Sequence, residues 1–264
     1  MTDFLPPESL LRVLREQLGD YMLIGSFARD YICRAEAGLG EARATEDVDV
    51  TVVVADARAF RSTTAALDSA KGLATRFAVG SIPVDVLPAI EHAGTYEIQP
   101  GVHTDLTGQH EAFTSARVVD VAEEFSIRVP TLQAMIVLKI VAWNMRGSTT
   151  AKDAQDLLQL LNAAPRWQVV EDELYDHEAF ERFGDVEDTA CFLLGIRAVE
   201  DLPEAVARLS ETQQAWRERL AIAMSGGHGA RASVRHQRAR ALLGAFIQGW
   251  DSTQAEQGLK GSST

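Results

Sequence analysis

The chain has 264 residues, of which 46% are hydrophobic and 24% are charged, and this composition is typical of a globular protein with one large domain or two modest ones. Its formal net charge of −13 at pH 7 excludes a protein that coats nucleic acid nonspecifically, because each phosphate contact needs a local cation. The sequence lacks a signal peptide, a membrane-spanning apolar stretch and paired or histidine-flanked cysteines. We therefore expect a cytoplasmic protein without disulfide, structural zinc or membrane partner.

The first half of the chain alternates β-like and helical patterns. Helices are predicted over residues 26–37 and 56–70, the second with Asp56 as its N-cap. Short runs rich in Val and Ile predict strands between and after them. These runs are YMLIGS (21–26), DVDVTVVV (47–54), ATRFAV (74–79), IPVDVL (82–87) and ARVVDV (116–121).

After Pro130 the pattern becomes helical throughout, with apolar residues recurring at helical spacing. The predicted helices cover TLQAMIVLKIVAWNMRG, KDAQDLLQLLNA, VEDTACFLLGIRAV, LPEAVARLSETQQAWRERLAIAM and ASVRHQRARALLGAFIQGW. The fold class expected is α/β, with an N-terminal mixed-sheet domain over residues 1–128 and a C-terminal helical bundle over 129–250. The small, polar residues 251–264 predict a flexible tail.

The sequence TEDVDV, which runs directly into TVVV, carries the strongest chemical signal. Residues i and i+2 of a strand point to the same face, so the carboxylates of Asp47 and Asp49 should emerge side by side. Asp85 lies within a second β-like run and could join them. Three such carboxylates resist joint ionisation unless cations lie between them, and hard oxygen ligands suit magnesium. The cluster could hold two metal ions around a phosphoryl transfer, although D-x-D pairs are also common at exposed strand starts.

An apolar run ends in Gly25-Ser26 and is followed at once by a predicted helix. Gly25 permits close backbone approach, while Ser26 offers a hydroxyl beside outward-facing helical N–H groups that could receive a phosphate. An ordinary N-cap turn would have the same sequence.

In this order, the Gly-Ser turn, R-A-T-E-D-V-D-V and V-D-V resemble the polymerase-β nucleotidyltransferase superfamily. The resemblance implies a nucleoside triphosphate (NTP) substrate that binds at Gly25 and Ser26, and two Mg²⁺ ions. It also implies that Asp47 and Asp49 ligate both ions. Asp85 would ligate the catalytic ion and help to deprotonate the acceptor hydroxyl.

The helical half contains a second constellation. Lys139 is the only charge within an apolar helix, and Arg146 follows seven residues later on nearly the same face. Lys139 could reach toward a triphosphate or snorkel to solvent. Asp153, with Asp156 on the same side, could serve the site or stabilise the positive end of the next helix.

The pattern K-I-V-A-W-N-M-R-x5-K-D-x-x-D looks like the later motifs of the AbiEii/MenT-like nucleotidyltransferase toxins. The resemblance covers roughly residues 20–160 and implies nucleotide transfer to RNA, such as a tRNA 3′ end, by a toxin or phage-defence protein with a possible antitoxin partner. Lys139, Arg146 and Asp153 would then contact the nucleotide. The chain departs from the family pattern in two places. It has Gly25-Ser26 where many members have Gly-Gly, and its Asp85 lies on a third strand that members of the family do not always use in this clear form.

The acceptor is not specified by these motifs. Arg231, Arg235 and Arg238 recur at helical spacing and could contact RNA, although a solvated helix face is the commoner explanation of such a stripe. The acidic surface favours instead a cationic small molecule, or a protein hydroxyl, as the acceptor. A non-catalytic nucleotide-binding module is a third alternative, and the intact set of three Asp argues against it.

Overall fold

The computed structural model describes residues 4–39, 45, 47–69, 74–146, 151–175, 178–226 and 234–261, with side chains in the last helix described through residue 256. The chain divides into two compact units, Met1–Thr131 and Leu132–Thr264. This division falls just after the boundary expected at residues 128–129, and the three-part domain assignment stays a prediction.

The first unit is built on a mixed sheet. The strands of the described chain are β1 (Met22–Ile24), β2 (Val48–Val53), β3 (Asp68–Ser69), β4 (Arg76–Val79), β5 (Ile82–Ala89), β6 (Thr95–Gln99), β7 (Val102–Asp105), β8 (Arg117–Ala122) and β9 (Phe125–Val129). Seven of them form the sheet in the order β3-β4-β5-β2-β1-β9-β8, and β6 and β7 form a separate antiparallel pair. Parallel pairs β2–β5 and β1–β9 lie among antiparallel neighbours.

Alternation within β2 and β5 decides which side chains enter the core. Val48, Val50 and Val52 are at most 2% exposed, whereas Asp49 between them is only half-buried. In β5, Val84 is fully buried and Asp85 next to it is half-buried. Because successive strand residues point to opposite faces, burial of the valines turns both aspartates to the other face of the sheet.

Four helices accompany the sheet in the described part of the first unit. They are α1 (Glu8–Leu18), α2 (Gly25–Asp30), α3 (Ala57–Thr63) and α4 (Gln109–Thr114), and α2 continues into a π-helix over Tyr31–Glu36. Asp56 caps α3 as predicted, since its side chain accepts hydrogen bonds from the backbone N–H groups of Arg58 and Ala59. The expected helix over 56–70 was too long, because Asp68 and Ser69 pair with β4 as β3.

The second unit is helical. Its helices are α5 (Leu132–Arg146), α6 (Lys152–Ala163), α7 (Gln168–Glu171), α8 (Ala179–Phe183), α9 (Val186–Asp201), α10 (Pro203–Met224) and α11 (Val234–Gly261). α11 extends through most of the segment for which the sequence predicts a flexible tail. Two glycines bring α9 and α11 together: a Cβ on Gly195 would lie 2.0 Å from the carbonyl oxygen of Phe246, and one on Gly249 would lie 2.0 Å from that of Phe192.

The mixed sheet and the helical second region confirm the predicted α/β fold class. Four strands were missed: β3, which falls within the expected helix over 56–70, β6 and β7, which are largely exposed, and β9, which lies inside the sheet. Among the described residues, no helix combines the length and apolar character needed to cross a membrane.

Candidate active site at the carboxylate face of the sheet

The turn between β1 and α2 packs its backbone directly against Asp49. Gly25 has a left-handed φ of 66°, and a Cβ at this position would lie 1.9 Å from Oδ2 of Asp49. Only glycine satisfies both conditions without displacement. Antiparallel pairing of Ile24 with Asp49 sets this approach. Ser26 follows as the second residue of α2, and it is 3% exposed.

Strand register brings the predicted aspartates together. Asp49 of β2 pairs with Asp85 of β5 in the parallel ladder, so the two carboxylates lie on adjacent strands of the same face. Asp47 directly precedes β2, two residues before Asp49, and accepts a hydrogen bond at Oδ1 from the hydroxyl of Thr45 at 3.1 Å. The sheet thus assembles three carboxylates beside the Gly25 turn.

Arg76 of β4 completes this cluster, and the sequence analysis missed it. It pairs with Asp85 across the β4–β5 ladder. Its Nε donates to Oδ1 of Asp85 at 2.8 Å, and its Nη2 donates to Oδ2 of Asp85 at 2.6 Å and to Oδ2 of Asp47 at 3.0 Å. The arginine stands in the run ATRFAV, whose strand was predicted, but nothing in one sequence shows which aspartate lies across the ladder.

The cluster is partly open to solvent. The side chains of Arg76, Asp47 and Asp85 are 35%, 32% and 24% exposed. The pKa of Arg76 is raised, first by its hydrogen bond to Asp85 and also by the charges of Asp85, Asp47 and Asp49. The guanidinium is therefore held firmly in its charged form against the carboxylates.

The donor set has the chemistry that magnesium prefers, since Asp47, Asp49 and Asp85 offer carboxylate oxygens alone. Among the described residues, however, no group of three or more His, Cys, Asp or Glu side chains is arranged to hold a metal ion. In this arrangement Nη2 of Arg76 contacts one oxygen of Asp47 and one oxygen of Asp85. The three carboxylates are therefore of the kind that binds magnesium, and in this structure Asp47 and Asp85 bind the guanidinium of Arg76.

The second unit contains a separate, buried cluster of charges. The ammonium of Lys139 donates to Asp153 at 3.1 Å and to Asp156 at 2.8 Å, and the three side chains are 9%, 4% and 1% exposed. Arg146, which is 59% exposed, donates to Asp153 at 2.9 Å. Lys139 therefore does not extend to solvent. Asp153 lies in the first turn of α6 and also accepts hydrogen bonds from two cations, Lys139 and Arg146.

The arginine stripe is divided. Arg231 lies outside the described residues, and Arg235 is exposed on α11. Arg238 lies near three carboxylates, those of Asp188 at 3.0 Å, Glu187 at 3.1 Å and Asp185 at 3.4 Å. These contacts join α11 to the beginning of α9, which gives Arg238 a structural role whatever else it contacts.

Comparison with known proteins gives one family. The model of a family described as the nucleotidyl transferase AbiEii toxin of type IV toxin–antitoxin (TA) systems matches residues 37–240, roughly three quarters of the chain. The match includes Asp47, Asp49, Asp85 and the Lys139 cluster, and it begins after Gly25 and Ser26. No curated protein matches the chain significantly.

Proposed function

The chain belongs to the AbiEii family of nucleotidyl transferase toxins, and we propose that it moves a nucleoside monophosphate from an NTP onto an acceptor hydroxyl at Asp47, Asp49 and Asp85. An enzyme of this family transfers nucleotidyl groups within a toxin–antitoxin system. One observation carries the assignment to these residues. Asp49 and Asp85 pair in register on neighbouring strands, and the backbone of Gly25 packs closely against Asp49.

In this proposal Asp47 and Asp49 would hold two Mg²⁺ ions, and Asp85 would be a further ligand of the catalytic ion. Bound magnesium supplies positive charge that stabilises the phosphates and acidifies the acceptor hydroxyl. The acceptor oxygen forms a bond to the α-phosphorus, and the bond from that phosphorus to the bridging oxygen breaks, which releases pyrophosphate. Asp85 helps to accept the proton from the acceptor hydroxyl. Partial exposure of Asp47 and Asp85 supports access of a ligand.

The turn that contains Gly25 and Ser26 is proposed to receive the triphosphate. Backbone N–H groups at the beginning of a helix bind phosphate oxygens, and a small residue is needed where a ligand meets the backbone. The left-handed Gly25, which packs against Asp49, and the small Ser26 that follows it in the chain support this role.

Lys139, Arg146 and Asp153 are proposed to contribute to nucleotide binding, with Asp153 acting through the two cations that it contacts. Arg146 supports this role best, since its side chain is 59% exposed while Asp153 fixes one end of its guanidinium. Lys139 has three N–H donors, and Asp153 and Asp156 accept two of them. The third N–H is the one proposed to face a phosphate.

RNA, for example the 3′ end of tRNA, is the acceptor that we propose, and an antitoxin is the proposed protein partner. The exposed Arg235 supports an RNA contact, and Arg231 and Arg238 would extend it along the chain. The net charge of −13 favours a second candidate, a cationic small molecule or a protein hydroxyl, because an acidic protein attracts cations more readily than RNA.

The test supplies purified protein with Mg²⁺ and each α-labelled NTP in turn, with and without total RNA. The double variant Asp47→Asn/Asp49→Asn serves as the control. Label that moves onto RNA with the wild type alone supports RNA transfer and identifies the base. Label that moves only onto added small hydroxyl compounds or onto protein favours the second candidate. Absence of transfer to every acceptor would contradict the proposed function.

A further inference from the structure

Arg76 contacts two carboxylate oxygens that the proposed metal site would use. A single nitrogen, Nη2, is 2.6 Å from Oδ2 of Asp85 and 3.0 Å from Oδ2 of Asp47. An ion that bridged the same two oxygens would lie about 2.0–2.1 Å from each if it were Mg²⁺. The guanidinium and the ion therefore compete for the same carboxylate oxygens, and they repel each other as like charges.

The arginine is placed so that it can leave. It stands on β4, across the ladder from Asp85, and its side chain is 35% exposed. Arg29 of α2 shows the opposite case, because its guanidinium is 1% exposed against Asp30. A long side chain at a partly exposed position can move into solvent without leaving a cavity in the core, whereas a fully buried one cannot.

We propose that Arg76 is a positioning residue that holds Asp47 and Asp85 in the metal-free protein and is displaced from Asp47 when a divalent ion binds. This inference rests on the proposed function, since it requires the metal to bind at these carboxylates. The guanidinium keeps the carboxylates together before the ion arrives. It also sets the metal concentration at which the site fills, because each binding event must break its contact with Asp47.

The proposal predicts that removal of Arg76 tightens metal binding. Arg76→Ala should lower the dissociation constant for Mn²⁺, a spectroscopically convenient substitute for Mg²⁺, by about tenfold, a modest factor because the pair is about one-third exposed and solvent-screened. The same variant should unfold at a lower temperature than wild type without metal, and saturating Mn²⁺ should reduce that difference. Arg76→Lys should bind with intermediate affinity, because a lysine keeps the charge without the two-pronged contact.

Arg117→Ala is the matched control. Arg117 stands on β8, forms a two-pronged contact with Glu36 at 2.8 Å for both bonds, and is 36% exposed, which closely matches Arg76. Its removal should lower stability without a change in Mn²⁺ affinity. If Arg117→Ala lowered the Mn²⁺ dissociation constant as Arg76→Ala does, the cause would be a general effect of charge. That result would overturn the inference.

The experiment is calorimetric titration of Mn²⁺ into wild type, Arg76→Ala, Arg76→Lys, Arg117→Ala and Asp49→Asn. Tighter binding in Arg76→Ala, abolished in Asp49→Asn, supports the proposal, and Arg76→Lys provides the comparison if Arg76→Ala does not fold. Equal or weaker binding in the Arg76 variants, with wild-type binding that still requires Asp49, overturns the role of Arg76 and leaves the proposed function intact. Binding that survives in Asp49→Asn, or is absent from wild type and both Arg76 variants, counts against the proposed metal site itself and so overturns both.

Discussion

The two charged clusters of this protein differ in their access to solvent. In the first unit, Asp47, Asp85 and Arg76 are between 24% and 35% exposed, and a guanidinium on a flexible stem bridges the carboxylates. In the second unit, Lys139 and Asp156 are 9% and 1% exposed. A half-open cluster can exchange its internal cation for an external one, whereas a sealed cluster must keep its own partner or lose stability. Substitutions should therefore act mainly on chemistry in the first cluster, whereas in the second they should lower stability in addition to any effect on nucleotide binding.

The largest effect on stability is expected from Lys139→Met. The change keeps much of the side-chain volume but removes the cation that contacts Asp153 and Asp156, which are both almost completely buried. Breaking such a pair leaves uncompensated buried charge and should lower the free energy of unfolding by about 3–5 kcal/mol. Urea denaturation measures the loss.

Arg240→Met is the control for that prediction. Its side chain is 66% exposed and lies 3.6 Å from Glu218, so its loss should cost less than about 0.5 kcal/mol. If Lys139→Met instead kept wild-type stability and only raised the apparent constant for nucleotide, the buried ion pairs would not stabilise the fold, and the contrast in stability between the two clusters would be wrong.

The next largest effect is expected from Gly25→Ala, which should lower the rate of nucleotidyl transfer. The new methyl group would collide with Oδ2 of Asp49, so the carboxylate must move by an ångström or more. A misplacement of that size costs about a hundredfold in rate. The assay is label transfer from NTP at saturating Mg²⁺.

Gly80→Ala separates the collision from backbone strain. Gly80 has a φ of 61°, close to that of Gly25, and a Cβ there would meet no atom within 4 Å. Gly80→Ala should lose about 1–2 kcal/mol of stability because alanine disfavours the left-handed backbone conformation, and it should retain nucleotidyl transfer. Equal loss of activity in both variants would remove the steric argument for Asp49.

Gly195→Ala tests the corresponding close approach in the helical unit. Its Cβ would lie 2.0 Å from the carbonyl oxygen of Phe246, so α9 and α11 would have to separate. Such overpacking should cost about 1–3 kcal/mol of unfolding free energy. Gly244→Ala on α11 should cost much less, because its nearest contact is the flexible end of Arg217 at 3.1 Å. Similar losses in the two variants would mean that the approach of α9 and α11 is loose.

The smallest expected effect depends on pH and comes from Asp185, the N-cap of α9. Burial raises its pKa, but the backbone hydrogen bond from Asp188 and the charge of Arg238 outweigh that effect, and the net shift is downward. A carboxyl with a lowered pKa in the folded state stabilises the protein above its unfolded pKa, about 4, and this contribution is lost as the pH falls through the folded pKa. Asp185→Ala should cost about 1 kcal/mol at pH 7 and less at pH 3, measured by thermal unfolding. A cost that stays constant with pH would contradict the assignment.

The sequence was most informative where one strand or helix contains the whole pattern. Asp47 and Asp49 in the context of a valine-rich strand predicted both β2 and its polar face, and Asp56 predicted the start of α3. β9 has the same alternation, with Phe125 and Ile127 buried, and this signal could have been read. β6 and β7 contain mostly exposed residues, so they carry little hydrophobic pattern.

Contacts between strands could not be predicted in the same way. The pairing of Arg76 with Asp85 depends on the register of an antiparallel ladder, and a shift of one residue would turn the arginine to the opposite face. The contact between Gly25 and Asp49 likewise requires the β1–β2 register. The roles assigned to Lys139 and Arg146 depended on a family pattern and remain predictions.

The most direct test of the central claim compares nucleotidyl transfer by wild type and Asp49→Asn, with thermal unfolding recorded for both. Asp120→Asn is the matched control, because Asp120 is an exposed strand aspartate on β8. If the carboxylate face of the sheet is the active site, Asp49→Asn should lose about a thousandfold or more in transfer rate while it stays folded, and Asp120→Asn should match wild type. Transfer at the wild-type rate by folded Asp49→Asn would contradict the account.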